Sequence, residues 1–290
     1  MPTDSNPSLN SAPAAVPRLL ILTATQGTSA HLGACVDSIY RLRIPIHHLI
    51  ICPPAAAKGL ANRFPQSRIV HESAPAGLYP ALNTGLEACA DGWDCFTCLN
   101  DDDVLAPDFE SALLRIPADQ LRHSVLYGRI RLIDENNRSL GFMSVCPWPR
   151  LFAHLLASGI SPMGQQGTVF GVEVLRKLGQ FDTSLAVCAD LDFWLRAYCQ
   201  GFRFAFYPNE IARFRLHPGQ ISGDTNRLET EFRTVVCRHL PQRPGPFLQT
   251  AARLAYYALN FSVYLQRILS TRKLRSYSLM QWAGARNKIP

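Results

Sequence analysis

Asn100-Asp101-Asp102-Asp103 sets one amide beside three carboxylates in a row. Like charges so close repel one another, so the crowding asks for a counter-charge. A hard cation such as Mg²⁺ or Mn²⁺ supplies one. It prefers carboxylate oxygens and commonly takes one or two from protein, with phosphate oxygens completing its shell. The plainer use is capping, by Asp101 or Asp103, of a helix that opens near Pro107. A calcium loop of the spaced D-x-D-x-D-G kind is excluded, because neither the spacing nor the terminal Glu is present. A second acidic pair, Asp190 and Asp192, stands two residues apart at the start of a helical pattern. Residues so spaced point in different directions. One can face a cleft and act as general base toward a hydroxyl while the other caps or pairs; ordinary capping of the helix start is the alternative. Gly77 permits a tight approach at another helix start. Asn83 and Gly85 interrupt an apolar helical face at a cost of roughly 0.7–1 kcal/mol each relative to Ala. Gln165 and Gln166 precede an apolar strand, and His217 follows one.

These residues need elements to hold them. Apolar runs predict strands at 18–24, 47–52, 68–71 and 94–99, with helical spacing at 29–43, 55–63 and 78–90 between them. Strand and helix alternate, which argues for a parallel α/β sheet. Such sheets bind ligands beyond the carboxyl ends of their strands, and Asn100–Asp103 falls at one. Further strands are expected at 125–133, 202–207 and 211–216. Helices are expected at 151–157, 173–178 (stopped by Gly179), 190–199 and 227–239, with one long helix over 249–269.

The 290 residues suffice for one large domain or two small ones, and 47% are apolar. The charge is +7, from 29 basic and 22 acidic residues. No dense or aromatic-studded basic block is present, so nucleic acid is not the expected partner. Nine scattered cysteines form no disulfide framework and suit a reducing, cytoplasmic setting. Cys95-x-x-Cys98 is half a zinc motif with no second pair, in a strand whose positions three apart face opposite sides. Residues 1–17 are expected to be a disordered tail without the features of a signal peptide. No stretch reaches 18 uninterrupted apolar residues.

Five segments, in order, resemble the inverting glycosyltransferases of family 2. "ILTATQ" (21–26) looks like the family's first strand. "GLYPALNTGL" (77–86), "CLNDDD" (98–103), "QQGTVFGVEVLRKLGQFDT" (165–183) and "ADLDFWLRA" (189–197) match its later blocks. The resemblance implies a GT-A fold, a Rossmann-like mixed sheet flanked by helices, over 18–225, with a C-terminal helical extension over 226–290. It implies a nucleotide-sugar donor, Mn²⁺ or Mg²⁺, and a glycan or lipid-linked acceptor. The implied donor site draws on Thr23, Thr25, Gly77, Asn83, Asn100, Asp101, Asp102 and Gln166. Asp103 is the leading implied metal ligand, with Asp102 sharing the ion and His217 touching it or the diphosphate. Asp101 stands where the family often has Ser, at the solvent edge of the set. Asp190 matches the general base, and Asp192 is left structural or acceptor-side.

One departure concerns the nucleobase. The family carries an acid after its second strand; here "CPPA" (52–55) offers no carboxylate, and its prolines cannot donate backbone hydrogen bonds. This departure favours a non-catalytic binding or assembly protein on the same fold. A nucleotidyltransferase would need a basic Gly-rich loop after the first strand, and "TQGTSAHLG" has no Lys or Arg. Residues 249–275, apolar and then basic, fit three placements: the inner face of a membrane, the catalytic domain, or an oligomer interface.

Overall fold

A computed structural model describes residues 15–72, 76–89, 91–217, 224–242 and 244–271. Most of the expected tail 1–17, and 272–275 of the basic segment, lie outside the described residues. Four parallel strands open the fold: β1 (Leu19–Ala24), β2 (Ile46–Cys52), β3 (Arg68–His71) and β4 (Cys95–Cys98), in spatial order β3-β2-β1-β4. Helices α1 (Leu32–Ile39), α2 (Pro54–Arg63) and α3 (Leu78–Ala88) make the crossovers. Pro54 opens α2, where a missing N–H costs nothing, so "CPPA" starts a helix. Gly85 answers for the cost of glycine inside α3. A Cβ there would lie 2.8 Å from Ile51 Cδ1, so its absence lets the helix press on the sheet. Cys95 and Cys98 are buried in cores on opposite faces of β4.

β5 (Val104–Leu105), α4 (Phe109–Leu114) and α5 (Ala118–Leu121) lead into β6 (Ser124–Ile133) and β7 (Ser139–Phe142). Helix α6 (Phe152–Ala157), strand β8 (Val169–Gly171) and helices α7 (Val172–Leu178) and α8 (Ala189–Cys199) follow. β8 lies between β4 and β6, antiparallel to both. β9 (Arg203–Arg215) then runs parallel to β6, with β5 antiparallel at the sheet margin. The carboxyl ends of β1–β4, β6 and β9 therefore share one edge. The two strands expected at 202–207 and 211–216 are this single β9. Register shifts opposite Gly128–Ile130 take up Pro208, Asn209 and Ile211, so the strand bulges without ending.

The chain ends in α9 (Thr225–His239), α10 (Pro246–Leu259) and α11 (Phe261–Thr271). α9 opens the expected extension, yet it is bound into the preceding domain. Glu231 accepts the backbone N–H groups of Ala186, Val187 and Cys188 at 2.8–3.0 Å. The single long helix expected over 249–269 is two helices broken at Asn260. The buried Asn260 amide donates to Val145 O at 3.0 Å and accepts from Val145 N at 3.1 Å. No described helix is long and apolar enough to cross a membrane.

Candidate active site

The turn after β4 reaches the shared edge and is fixed from three sides. Thr25, just past β1, donates its hydroxyl to Asp101 Oδ2 at 2.5 Å. Asn100 Nδ2 donates to Asp103 Oδ2 at 3.2 Å. From the end of β9, Arg215 N donates to Asp103 Oδ1 at 3.0 Å, and Arg215 Nε donates to Asp102 O at 2.9 Å. Two residues on, His217 Nε2 lies 2.8 Å from Asp102 Oδ2, both side chains partly exposed. The carboxylates thus differ in environment. Asp103 is 0% exposed. Burial, then the charge of Asp102, pushes its carboxyl well above the usual range, against hydrogen bonds from Arg215 N, Asn100 and Gln166. Burial also raises Asp101, opposed by Thr25.

Two expectations concern these side chains. Asp103, expected to lead metal binding, is enclosed with both oxygens engaged; Asp102 is the carboxylate that meets His217. Asp101, expected at the solvent edge, is half-buried and held by Thr25. The capping alternative also falls away. α4 is preceded by Asp108, with no side-chain cap, and Asp101 and Asp103 are engaged elsewhere.

The second acidic pair divides as its spacing predicts. Asp190, in the first turn of α8, stays partly accessible, and Tyr79 of α3 donates its hydroxyl to Asp190 Oδ1 at 3.0 Å. Burial raises the Asp190 carboxyl, against hydrogen bonds from Leu191 N and Tyr79. The Asp190 charge in turn acts on the Cys98 thiol, just ahead of the Asn100–Asp103 turn. Asp192 is buried and paired with Arg196 at 2.8 Å and His239 at 2.7 Å. It is a strut between α8 and α9.

Of the other expected donor contacts, Gln166 is buried against Asp103 and Gly77 opens α3 at φ 115°, a conformation suited to glycine. Two are engaged within the fold. Thr23 is fully buried, with its hydroxyl 3.2 Å from His48 Nε2 inside the sheet. Asn83 is buried and bridges both backbone groups of Phe181 at 3.0 Å, tying α3 to the loop after α7. Residues not anticipated are Tyr79, Arg215, Glu231 and Glu72. Tyr79 lies inside a quoted segment and Arg215 in the strand expected at 211–216, but Tyr79 meets Asp190 across 111 residues and Arg215 meets Asp103 across 112. Glu72, past the end of β3, is buried beside the end of β2, its N–H on Cys52 O at 3.0 Å. Burial raises its carboxyl, opposed by Ala76 N.

The chemistry of the donor set bears on a metal. No three His, Cys, Asp or Glu side chains among the described residues surround one point. Asp102 offers an oxygen ligand that suits Mn²⁺ or Mg²⁺, and His217 an imidazole that Mn²⁺ accepts more readily than Mg²⁺, leaving further positions for phosphate oxygens and water. The residues present fit a divalent ion carried jointly with a diphosphate.

No protein-family model and no curated protein sequence matches the chain. Solved structures do. Residues 1–349 of TarS from S. aureus, in complex with UDP-GlcNAc, align with a TM-score of 0.59 at 13% identity, covering 92% of this chain and 79% of that one. The chain spans about half of the longer TarS structure, covering 48% of it. The mannosyltransferase PcManGT from Pyrobaculum calidifontis, in complex with GDP-Man and Mn²⁺, aligns with a TM-score of 0.56 at 17% identity, covering 93% and 80%. The mixed sheet flanked by helices matches these solved glycosyltransferase structures, and the chain has a GT-A-like glycosyltransferase fold.

Proposed function

We propose that the protein is a metal-dependent inverting glycosyltransferase of the family 2 type. It moves a sugar from a nucleoside-diphosphate donor to a hydroxyl of a glycan or lipid-linked acceptor, in glycan or polysaccharide biosynthesis. The observation that carries this reading is one sheet edge holding the Asp102–His217 pair together with a partly accessible, raised-pKa Asp190. A bound Mn²⁺ or Mg²⁺ supplies positive charge against the departing diphosphate. Asp102 and His217 hold that ion. Thr25 and Asn100 fix the turn that presents Asp102. Asp190 accepts the acceptor's hydroxyl proton as its oxygen bonds to the anomeric carbon. The carbon–oxygen bond to the diphosphate breaks on the opposite face, so the configuration inverts. Tyr79 orients the Asp190 carboxylate through Oδ1.

Glu72 serves this reading as the carboxylate that Cys52–Ala55 lack. A carboxylate accepts the ring N–H of uracil or guanine, and neutral adenine and cytosine have no such proton on the facing edge. Calorimetric titration of UDP-, GDP-, ADP- and CDP-sugars with Mn²⁺, followed by transfer assays, tests the whole reading. Binding of a UDP- or GDP-sugar is expected, weakened about tenfold by Glu72→Gln. Failure of every donor to bind with Mn²⁺ present sinks the enzyme reading. Donor binding with neither transfer nor hydrolysis leaves the non-catalytic binding protein, the reading that "CPPA" favours.

A further inference from the structure

α10 and α11 each bury one side only. Ala252, Tyr256 and Val263 face inward, where α10 packs on α6 and α11 on β7. Asn260 locks their junction to Val145. The outward side of a surface helix ordinarily carries charge. Here Phe247, Ala251, Leu254 and Ala258 are all exposed at i, i+4, i+7 and i+11, one stripe along α10. Phe261, Leu265 and Leu269 continue the pattern on α11 at i, i+4 and i+8. Phe247 is 81% exposed, Leu254 66% and Phe261 68%. Trp148 stands exposed beside them, over an apolar groove of about 290 Å³ between α10 and the α6 region.

Charge selects among the possible coverings. Residues 241–290 contain eight Lys or Arg and no Asp or Glu, so the whole +7 excess of the chain resides there. A second copy meeting this face by two-fold symmetry would set like charge against like charge. An anionic surface reverses that term. We propose that the outer face of α10 and α11 docks on an anionic phospholipid bilayer. The helices lie in the plane of the interface, Phe247, Leu254, Phe261 and Leu269 enter the acyl boundary, and the positive charge of the 241–290 sequence supplies the attraction to anionic headgroups. This inference stands apart from the glycosyl-transfer reading, since no residue of the strand-edge site takes part.

Co-sedimentation of the full chain with vesicles tests it. The protein is expected to pellet with phosphatidylcholine vesicles containing 30% phosphatidylglycerol, about tenfold more than with phosphatidylcholine alone, and to be released by salt. Leu254→Glu with Phe261→Glu should reduce the bound fraction at least about tenfold while the thermal midpoint holds, because both side chains are exposed. Gln at Arg272, Lys273 and Arg275 should lower binding separately, without touching the stripe. Failure to pellet with anionic vesicles overturns the proposal, as does undiminished pelleting of both variants. So does a dimer in light scattering that Phe261→Glu disperses and that ignores vesicles.

Discussion

Asp102 Oδ2 and His217 Nε2 lie 2.8 Å apart, joined across 115 residues of chain. An imidazole and a carboxylate so set can exchange their mutual contact for a shared cation. Asp102→Asn and His217→Ala are each expected to weaken Mn²⁺ binding, measured with a nucleoside diphosphate present, by about tenfold or more. Asp103→Asn should instead lower thermal stability, since it disturbs a buried carboxylate held by Arg215 N. Loss of Mn²⁺ binding in Asp103→Asn alone would reverse the assignment.

Asp190 gives a pH dependence with a definite sign. Its carboxyl is raised by burial, and a base must be deprotonated to act. kcat/KM should therefore climb with pH through a limb lying above the ordinary carboxylate range. Tyr79 lowers that value by donating to the charged form, so Tyr79→Phe should shift the limb upward. Asp190→Asn should cut kcat by about 10²–10⁴ while donor affinity, read by calorimetry, persists. Equal loss of both would make Asp190 a structural residue.

Asp192 tests the division of labour on α8. Its carboxylate ties Arg196, His239 and the more exposed Arg238 across α8 and α9. Asp192→Asn should cost about 1–3 kcal/mol in urea unfolding, discounted for the solvent around Arg238. Donor affinity should change little. A large fall in affinity at unchanged stability would move Asp192 into the binding site.

His48 governs acid stability. It sits between Ser67 Oγ at 2.9 Å and Thr23 Oγ1 at 3.2 Å, and burial lowers its pKa to about 3. The unfolded chain takes up this proton below about 6.5, while the folded chain refuses it until about 3. The contribution is thus full above about pH 6.5 and lost progressively as pH falls toward 3. His48→Gln should flatten the fall in urea midpoint between pH 7 and 4.5. An unchanged slope would assign acid sensitivity to other groups.

What the sequence disclosed, and what it hid, divides by range. Periodicity marks β1–β4 and α1–α3 because a buried face repeats every two or 3.6 residues. The split between Asp190 and Asp192 follows from helical geometry two residues apart. Which of three adjacent aspartates turns inward is decided by Arg215 N, 112 residues away, and no local pattern contains that contact. Asn260 ends α10 because of Val145, 115 residues back. Thr23 and Asn83 sit in segments that carry the resemblance, yet His48 and Phe181 claim their side chains.

The long spans of the strand-edge contacts set an order of events during synthesis. Thr25 meets Asp101 across 76 residues, but Asp102 waits for His217, and the loop before Asp190 waits for Glu231. A nascent chain that has released only its first two hundred residues can pair β1 through β4 and still lacks His217, half of the pair proposed to hold the ion. The ability to hold a donor should switch on late and abruptly as β9 and α9 leave the ribosome.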